Sequence, residues 1–263
     1  MTLPFSLIVI QRPAFDALTA GGMLALVLAM SVAWLTVLRQ RSKRAAAWVA
    51  AAVLAILLAN AVGDWLGLFS RLDLLPPPFA ILVASVLGLT IAVGMGYAGS
   101  IGDDLVRCLR IETLVALQIF RLPLELLMLR AAYLGIMPIE FSLLGYNLDI
   151  FIGLGALLIA VYCAWTSVLP VRIIRAWNVL GIGSLLVIAL LAALASPNLH
   201  AIGADAKHIN SWVLYFPYSL LPTVLVTFAV FGHVLLTRKL LARKLFKPLL
   251  GQHAKPISAT DPW

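Results

Sequence analysis

The chain has 263 residues, of which 63% are hydrophobic and 11% are charged, and its mean hydropathy is +1.05. Soluble globular domains contain about 45–50% apolar and about 25% charged residues. This composition excludes an ordinary soluble enzyme, a disordered chain and a coiled coil, because the apolar surface exceeds what one core can bury. Its two cysteines, Cys108 and Cys163, provide neither a disulfide framework nor a CxxC pair. We therefore expect an all-α, polytopic membrane protein.

Seven apolar stretches are long enough to cross a bilayer, because about 20 helical residues span a hydrocarbon core about 30 Å thick. In chain order they are Leu18–Leu38, Ala46–Phe69, Phe79–Ala98, Thr113–Leu134, Leu148–Leu169, Trp177–Ala195 and Trp212–Leu236. The apolar segment Met1–Ile10 is too short to span. The sequence thus predicts an extracytoplasmic interfacial lead-in over residues 1–17, a seven-helix bundle over residues 18–236 and a basic cytoplasmic tail over residues 237–263.

The position of the basic residues predicts the orientation. One side of the predicted bundle contains most of the 19 Lys and Arg residues, namely Arg39, Arg41, Lys43, Arg44, Arg107, Arg110, Arg172, Arg175, Arg238, Lys239, Arg243, Lys244, Lys247 and Lys255. The other side contains Arg12, Arg71 and Lys207. Because basic loops stay in the cytoplasm, we expect the N-terminus outside and the C-terminus inside a bacterial inner membrane. Basic residues at helix ends contact lipid headgroups, so the net charge of +8 indicates a bilayer partner and no nucleic acid.

Polar and charged residues inside the fourth span are the strongest local signal. Gln118, Arg121 and Glu125 lie on one helix face at spacing i, i+3, i+7. A charge at the centre of a span costs about 2.5–3.5 kcal/mol on insertion scales, and pairing Arg121 with Glu125 would reduce the cost of both. These residues form either a ligand or ion-coupling site or a structural ion pair. Helix bending is predicted at three prolines: Pro123, Pro217 and Pro222.

Other spans carry polar residues that we expect to converge on the fourth span, in a pocket open to the extracytoplasmic side. These further candidates for ligand binding or ion coupling are Asn60, Asp64, Asn147, Asp149, Tyr215 and Tyr218. Five of the six have a simpler interpretation. Asn147 suits a helix N-cap and Asp149 the positive end of a helix dipole. The tyrosines and Asp64 suit the membrane interface.

Residue types exclude several known membrane chemistries. A retinal Schiff base needs a lysine inside a span, and no predicted span contains one. A haem held between helices commonly needs two histidines, and His233 is the single histidine in a predicted span. No HExxH motif or Cys/His cluster predicts a metal, and we expect no cofactor and no catalytic residue. These residues leave open an intramembrane enzyme that uses Glu125 as an acid or base.

A set of residues in the second half of the chain resembles one group of proteins. The set comprises Phe120, Arg121, Pro123, Glu125, Pro138, Gly145, Asn147, Asp149, Ile150, the run Trp177–Gly181, Tyr215–Pro217, Leu221, Pro222 and His233. Over residues 110–240 the chain is similar to bacterial inner-membrane proteins with about seven helices and no assigned activity. The resemblance implies the bundle but no substrate. Leu144 departs from the group's pattern, which often has an acidic residue before the glycine.

The leading hypothesis is a membrane protein that binds, and translocates, a small polar or anionic solute or a proton. Arg121 would hold the anion or organise the site, and Glu125 would pair with it or carry a proton. The alternative is a non-catalytic sensor or an accessory subunit that docks a membrane protein or a second copy of the chain. Small residues at four-residue spacing in the second span would allow such close approach: Ala47, Ala51, Ala55, Ala59 and Gly63.

Overall fold

A computed structural model describes residues 12–70, 79–97, 99–197, 199, 201–203 and 205–252. The regular elements in this part of the chain are helical, which confirms the predicted all-α class. Residues 1–11 of the predicted lead-in, the loop residue Arg71 and residues 253–263 of the predicted tail lie outside the described residues.

The described part of the chain contains nine α-helices. They are α1 (Ala17–Arg39), α2 (Lys43–Trp65), α3 (Phe79–Tyr97), α4 (Gly99–Cys108), α5 (Ile111–Ala116), α6 (Arg121–Tyr133), α7 (Asp149–Thr166), α8 (Val171–Leu194) and α9 (Val226–Gln252). Short 3-10 turns lie at Leu117–Phe120, Ile139–Phe141, Ala206–His208 and Trp212–Leu214, and a π-helical segment at Leu221–Leu225 leads into α9.

Five helical segments are long and apolar enough to cross a membrane. They are Ala17–Arg39, Lys43–Trp65, Asp149–Thr166, Val171–Leu194 and Leu221–Ala242. A sixth is added if α3 and α4, which meet at an angle of 75°, count as one span. These lengths and compositions fit a multi-pass membrane protein. They confirm most of the predicted spans. Most ends shift by a few residues, but the last span begins at Leu221 instead of Trp212 and ends at Ala242 instead of Leu236.

The fourth predicted span, Thr113–Leu134, is not one helix. Its residues form α5, the 3-10 turn Leu117–Phe120 and α6 in succession, and none of these pieces alone reaches the length of a span. Pro123 lies in the first turn of α6, where a missing N–H is tolerated. It cannot donate to the C=O of Ile119, so a regular helix is weakened at the 3-10 turn that precedes it.

Helix α9 lies at the centre of the packing. The span Leu221–Ala242, which includes the first part of α9, is 61% buried, whereas the span formed by α2 is 22% buried. It packs against α3, α4, α5 and α8, while α7 packs against α5, α6 and α8. Helices α5 and α8 therefore each pack against both α9 and α7, and α7 in turn packs against α6.

One end of the bundle is rich in basic residues. At this basic end, defined by Arg39, Lys43, Arg110 and Arg238, α1 ends and α2, α5 and α8 begin. Arg238 of α9 donates to the C=O of Gly96 at 2.7 Å and also contacts Asp103, which holds α9 against α3 and α4. The opposite end contains the loop from Tyr133 to Asp149 and the loop from Leu194 to the last span.

Candidate functional site

Arg121 forms its ion pair with Asp149. Its Nη1 lies 3.4 Å from Oδ1 of Asp149, and the Arg121 side chain is 1% exposed. Gly153, one turn after Asp149, makes this approach possible, because a methyl group built there would lie 2.9 Å from the backbone nitrogen of Leu122. The pairing of Arg121 with Glu125 that the sequence favoured is therefore replaced by a contact between α6 and α7. The spacing along one helix could not show that Asp149 lies within reach.

Glu125 is turned towards Asn147 instead. The Nδ2 of Asn147 donates to Oε1 of Glu125 and, at 3.0 Å, to the C=O of Phe141. The Oδ1 of Asn147 accepts the N–H of Asp149 at 3.0 Å, but the N-cap of α7 is Leu148, so Asn147 lies one residue before the cap position predicted for it. One amide thereby connects Glu125, the loop before α7 and the residue that pairs with Arg121.

Two further side chains complete the site. Gln118 is buried, and its Nε2 donates to the C=O of Ala229 in α9 at 3.3 Å. Ser184 of α8 lies with its Oγ 3.4 Å from Nη1 of Arg121. We call Gln118, Arg121, Glu125, Asn147 and Asp149 the Arg121 cluster.

Several buried polar atoms of the Arg121 cluster have no hydrogen-bond partner within the described part of the chain. They are Nε and Nη2 of Arg121, Oε2 of Glu125 and Oε1 of Gln118, while Oδ1 of Asp149 has the ion pair with Arg121 but no hydrogen bond. Donors and acceptors are both present. Most buried polar groups in proteins are hydrogen-bonded, and an unsatisfied one costs about 1–3 kcal/mol. The interior of the cluster thus has unused capacity to bind a polar species.

The candidates on the second and last spans form a separate group. Oδ1 of Asp64 accepts the N–H of Phe216 at 3.1 Å, and Oδ1 of Asn60 accepts the hydroxyl of Thr223 at 3.0 Å. Tyr218 is buried and packs on Trp212, with ring centroids 5.2 Å apart. Among the described residues, no hydrogen bond or ion pair joins this group to the Arg121 cluster. The predicted convergence of all polar faces on one pocket is therefore not seen.

Tyr215 and the other two prolines also lie near the start of the last span. Tyr215 is partly buried, and the guanidinium of Arg12 lies 6.0 Å from the centre of its ring. Pro217 follows a cis peptide bond and precedes the helix, whereas Pro222 lies in the π-helical segment Leu221–Leu225. Of the predicted bending positions, Pro222 and Pro123 lie where helical geometry changes.

Sequence reasoning missed Ser184 and the surroundings of His233. Asn178, Gly181 and Ser184 recur every third residue along α8, and each faces a polar side chain of a neighbouring helix. This spacing places polar and small residues on one face of an otherwise apolar span, which is the signal that could have revealed them.

The residue types at the site restrict its chemistry. In the described part of the chain, no group of three or more His, Cys, Asp and Glu side chains is placed to hold a metal ion. The Arg121 cluster offers one guanidinium, which donates hydrogen bonds, and two carboxylates, which accept hydrogen bonds or a proton. Comparison with family models, curated proteins and solved structures finds no match to this chain. The resemblance to bacterial seven-helix proteins stays a prediction.

Proposed function

We propose that the chain is a bacterial inner-membrane protein that binds a proton, or a small polar solute, at the Arg121 cluster. The crossings would number seven, with the segment Ile111–Tyr133 as the fourth. The N-terminus would lie outside, and the basic end would lie in the cytoplasm. The distribution of basic residues between the two ends supports this orientation.

The enclosed, unpartnered atoms of the cluster carry the proposal. Arg121 and Glu125 are each 1% exposed, yet Nε and Nη2 of the guanidinium and Oε2 of the carboxylate lack partners among the described residues. A bound species with both donors and acceptors would satisfy them. Charged groups inside a membrane that are not fully paired commonly mark proton or solute sites.

The balance of charge favours a proton over an anion. Arg121 faces Asp149 at 3.4 Å, and Glu125 is a second carboxylate on the same cluster. With both carboxylates ionised, the cluster has one more negative than positive charge, and burial makes the surplus costly. Adding a proton cancels the surplus, whereas adding an anion increases it. We therefore place the proton first and the anionic solute second.

Infrared spectroscopy of the full chain in lipid nanodiscs tests proton binding. We expect a C=O band of a protonated carboxylic acid that titrates with pH and is lost in Glu125→Gln. Glu112→Gln is the matched control, because the side chain of Glu112 is 35% exposed and pairs with Arg110. A titrating band that survives in Glu125→Gln would refute the proton site.

Thermal stability against a panel of metabolites tests the solute. A compound that stabilises the wild type but not Arg121→Gln would show that the cluster binds that solute. If the compound is an anion, our preference for a proton over an anion would be wrong. If no compound binds and no band titrates, the cluster is a structural ion pair and the proposal fails.

A second candidate function is an accessory or sensor subunit. The observation in its favour is that Ala47, Ala51, Ala55 and Ala59 of α2 are exposed, although Gly63 packs against Phe69. No helix of the described residues covers these alanines, and a small-residue face permits close helix contact. Co-purification of one stoichiometric membrane partner, lost in Ala55→Leu, would favour this function.

A further inference from the structure

The hydrogen bonds around His233 determine which ring nitrogen carries hydrogen. The hydroxyl of Thr237 donates to the C=O of His233 at 2.8 Å, so its oxygen accepts from Nδ2 of Asn178 at 2.7 Å. This orients Asn178 with Oδ1 towards Nδ1 of His233, 2.8 Å away. Because an amide oxygen only accepts, Nδ1 must donate. The neutral imidazole then has a lone pair, and no hydrogen, on Nε2.

That lone pair is enclosed in the bundle. His233 is 1% exposed, and its Nε2 has no hydrogen-bond partner among the described residues. The ring lies directly on Gly181, where a methyl group would be 2.6 Å from Nε2. Trp177 packs on the same ring with centroids 5.4 Å apart. This unpaired acceptor nitrogen is the atom of the ring at which a proton can be added.

A polar face of α8 connects this nitrogen to the Arg121 cluster. The hydroxyl of Ser184 donates to the C=O of Gly181 at 2.9 Å and accepts from Nη1 of Arg121 at 3.4 Å. Gly181 in turn contacts the His233 ring. The three residues Asn178, Gly181 and Ser184 therefore form one strip from His233 to Arg121, and His233 lies on its basic-end side.

Charge couples the two positions. Asn178, Thr237 and Trp177 around the ring are neutral, and Arg121 is the charged side chain that the α8 strip joins to this position. Arg121 pairs with Asp149, and Glu125 lies one helical turn after Arg121 and shares Asn147 with Asp149. When Glu125 loses its proton, it adds a negative charge that offsets Arg121. An imidazolium at His233 is then repelled less, so release at Glu125 favours protonation at Nε2.

We propose that Nε2 of His233 is a second proton site and receives the proton that Glu125 releases. This inference rests on the proposed function of the Arg121 cluster. In the transfer, the O–H bond of the Glu125 carboxylic acid breaks and its electron pair stays on the carboxylate. An N–H bond forms from the lone pair of Nε2, and water along the α8 strip carries the proton. The imidazolium keeps its Nδ1–H bond to Asn178. The direction of transfer is towards the basic end.

Nitrogen-15 NMR of the full-length wild type in lipid bilayers tests the acceptor directly and needs no variant to fold. We expect a neutral ring with hydrogen on Nδ1 and none on Nε2, and a second N–H bond on acidification. His233→Gln serves only to assign the signals. A neutral ring with hydrogen on Nε2, or a ring that gains no proton on acidification, would overturn the inference.

Proton flux into proteoliposomes, driven by a potassium diffusion potential, tests the transfer. We expect His233→Gln to slow the flux by about a hundredfold, the scale on which one positioned acid–base group acts. The infrared band of Glu125 should persist in that variant. His208→Gln is the control, because His208 pairs with Glu140 in the loops of the opposite end.

The outcomes separate the two proposals. Unchanged flux in His233→Gln, or no flux in the wild type, with the Glu125 band intact, refutes the transfer and leaves the proton site standing. Absence of a titrating Glu125 band in the wild type refutes the proton site itself.

Discussion

Three glycines allow polar side chains to lie where a methyl group would not fit. Gly153 faces Arg121, Gly181 faces His233 and Gly232 faces Gln118. Each glycine and the polar residue that it faces lie on two different, neighbouring elements. The close approach brings the polar groups into the interior of the bundle, where they interact more strongly than at a surface.

Gly181→Ala tests this close packing at the proposed acceptor. The added methyl group would lie 2.6 Å from Nε2 of His233, so the ring must move, and we expect a loss of about 1–3 kcal/mol in the free energy of unfolding. Gly183→Ala on the same helix is the matched control, because nothing lies within 4 Å of its added methyl group. It should leave stability unchanged or raise it by up to about 1 kcal/mol. Denaturation of both variants in the same detergent measures the difference. Equal effects would show that His233 does not depend on Gly181.

At this scale the sequence predicts which polar residues matter better than it predicts their partners. Arg121, Glu125, Asn147 and Asp149 could be identified because charged or amide groups are rare inside apolar spans or at their ends. Their pairing could not, because the periodicity of one helix gives only the neighbours on that helix. The contact between Arg121 and Asp149 depends on how α6 packs against α7.

At the scale of elements, helix breaks are harder to predict than helices. The apolar lengths of α1, α2, α7 and α8 largely determined their spans. The last span begins at Leu221 rather than at Trp212, because Trp212–Leu214 forms a separate 3-10 turn. Hydropathy does not distinguish an apolar turn from an apolar helix. The contacts of Asp64 and Asn60 with this region join residues distant in sequence, so the pattern of one helix could not predict them.

Helix α1 is joined to α6 by an ion pair that gives a pH-dependent prediction. Both side-chain oxygens of Asp16 accept from Arg130 at 3.0 Å, and Asp16 also accepts the N–H of Thr19 at the start of α1. The hydrogen bonds from Arg130, followed by those from Thr19, hold the pKa of Asp16 well below its usual range. The folded protein therefore binds a proton at Asp16 less readily than the unfolded chain does.

The sign of the effect follows from this lowered pKa. The stabilisation is fully present above the unfolded pKa, about 3.9, and is lost as pH falls towards the lower folded value. We expect Asp16→Asn to lower the melting temperature at pH 7 but to differ less from the wild type near pH 3. Arg130→Gln should show the same trend, and the double variant should add little. A difference that is constant with pH would contradict this role of the pair.

At the scale of the whole molecule, the two proposed proton sites lie in series along the bundle. Asn147 and Asp149 lie where α7 begins at the opposite end, whereas Asn178, His233 and Thr237 lie nearer the basic end. The helices α6 to α9 alternate in direction, so residues distant in sequence lie at the same depth, and the two proton sites lie at different depths. Protons would therefore enter from the side that is outside in the proposed orientation.

Cysteine labelling of intact cells tests that orientation. In a background in which Cys108 and Cys163 are replaced by alanine, Asp205→Cys places a thiol in the exposed loop of the opposite end, and Gln40→Cys places one in the exposed turn between α1 and α2. Because the basic end should stay in the cytoplasm, a membrane-impermeant maleimide should label the first at once and the second only after permeabilisation. The reverse pattern would show that the protein has the opposite orientation in the membrane, and the direction of proton transfer would then also be reversed. Labelling of both thiols from outside would contradict an odd number of crossings between them.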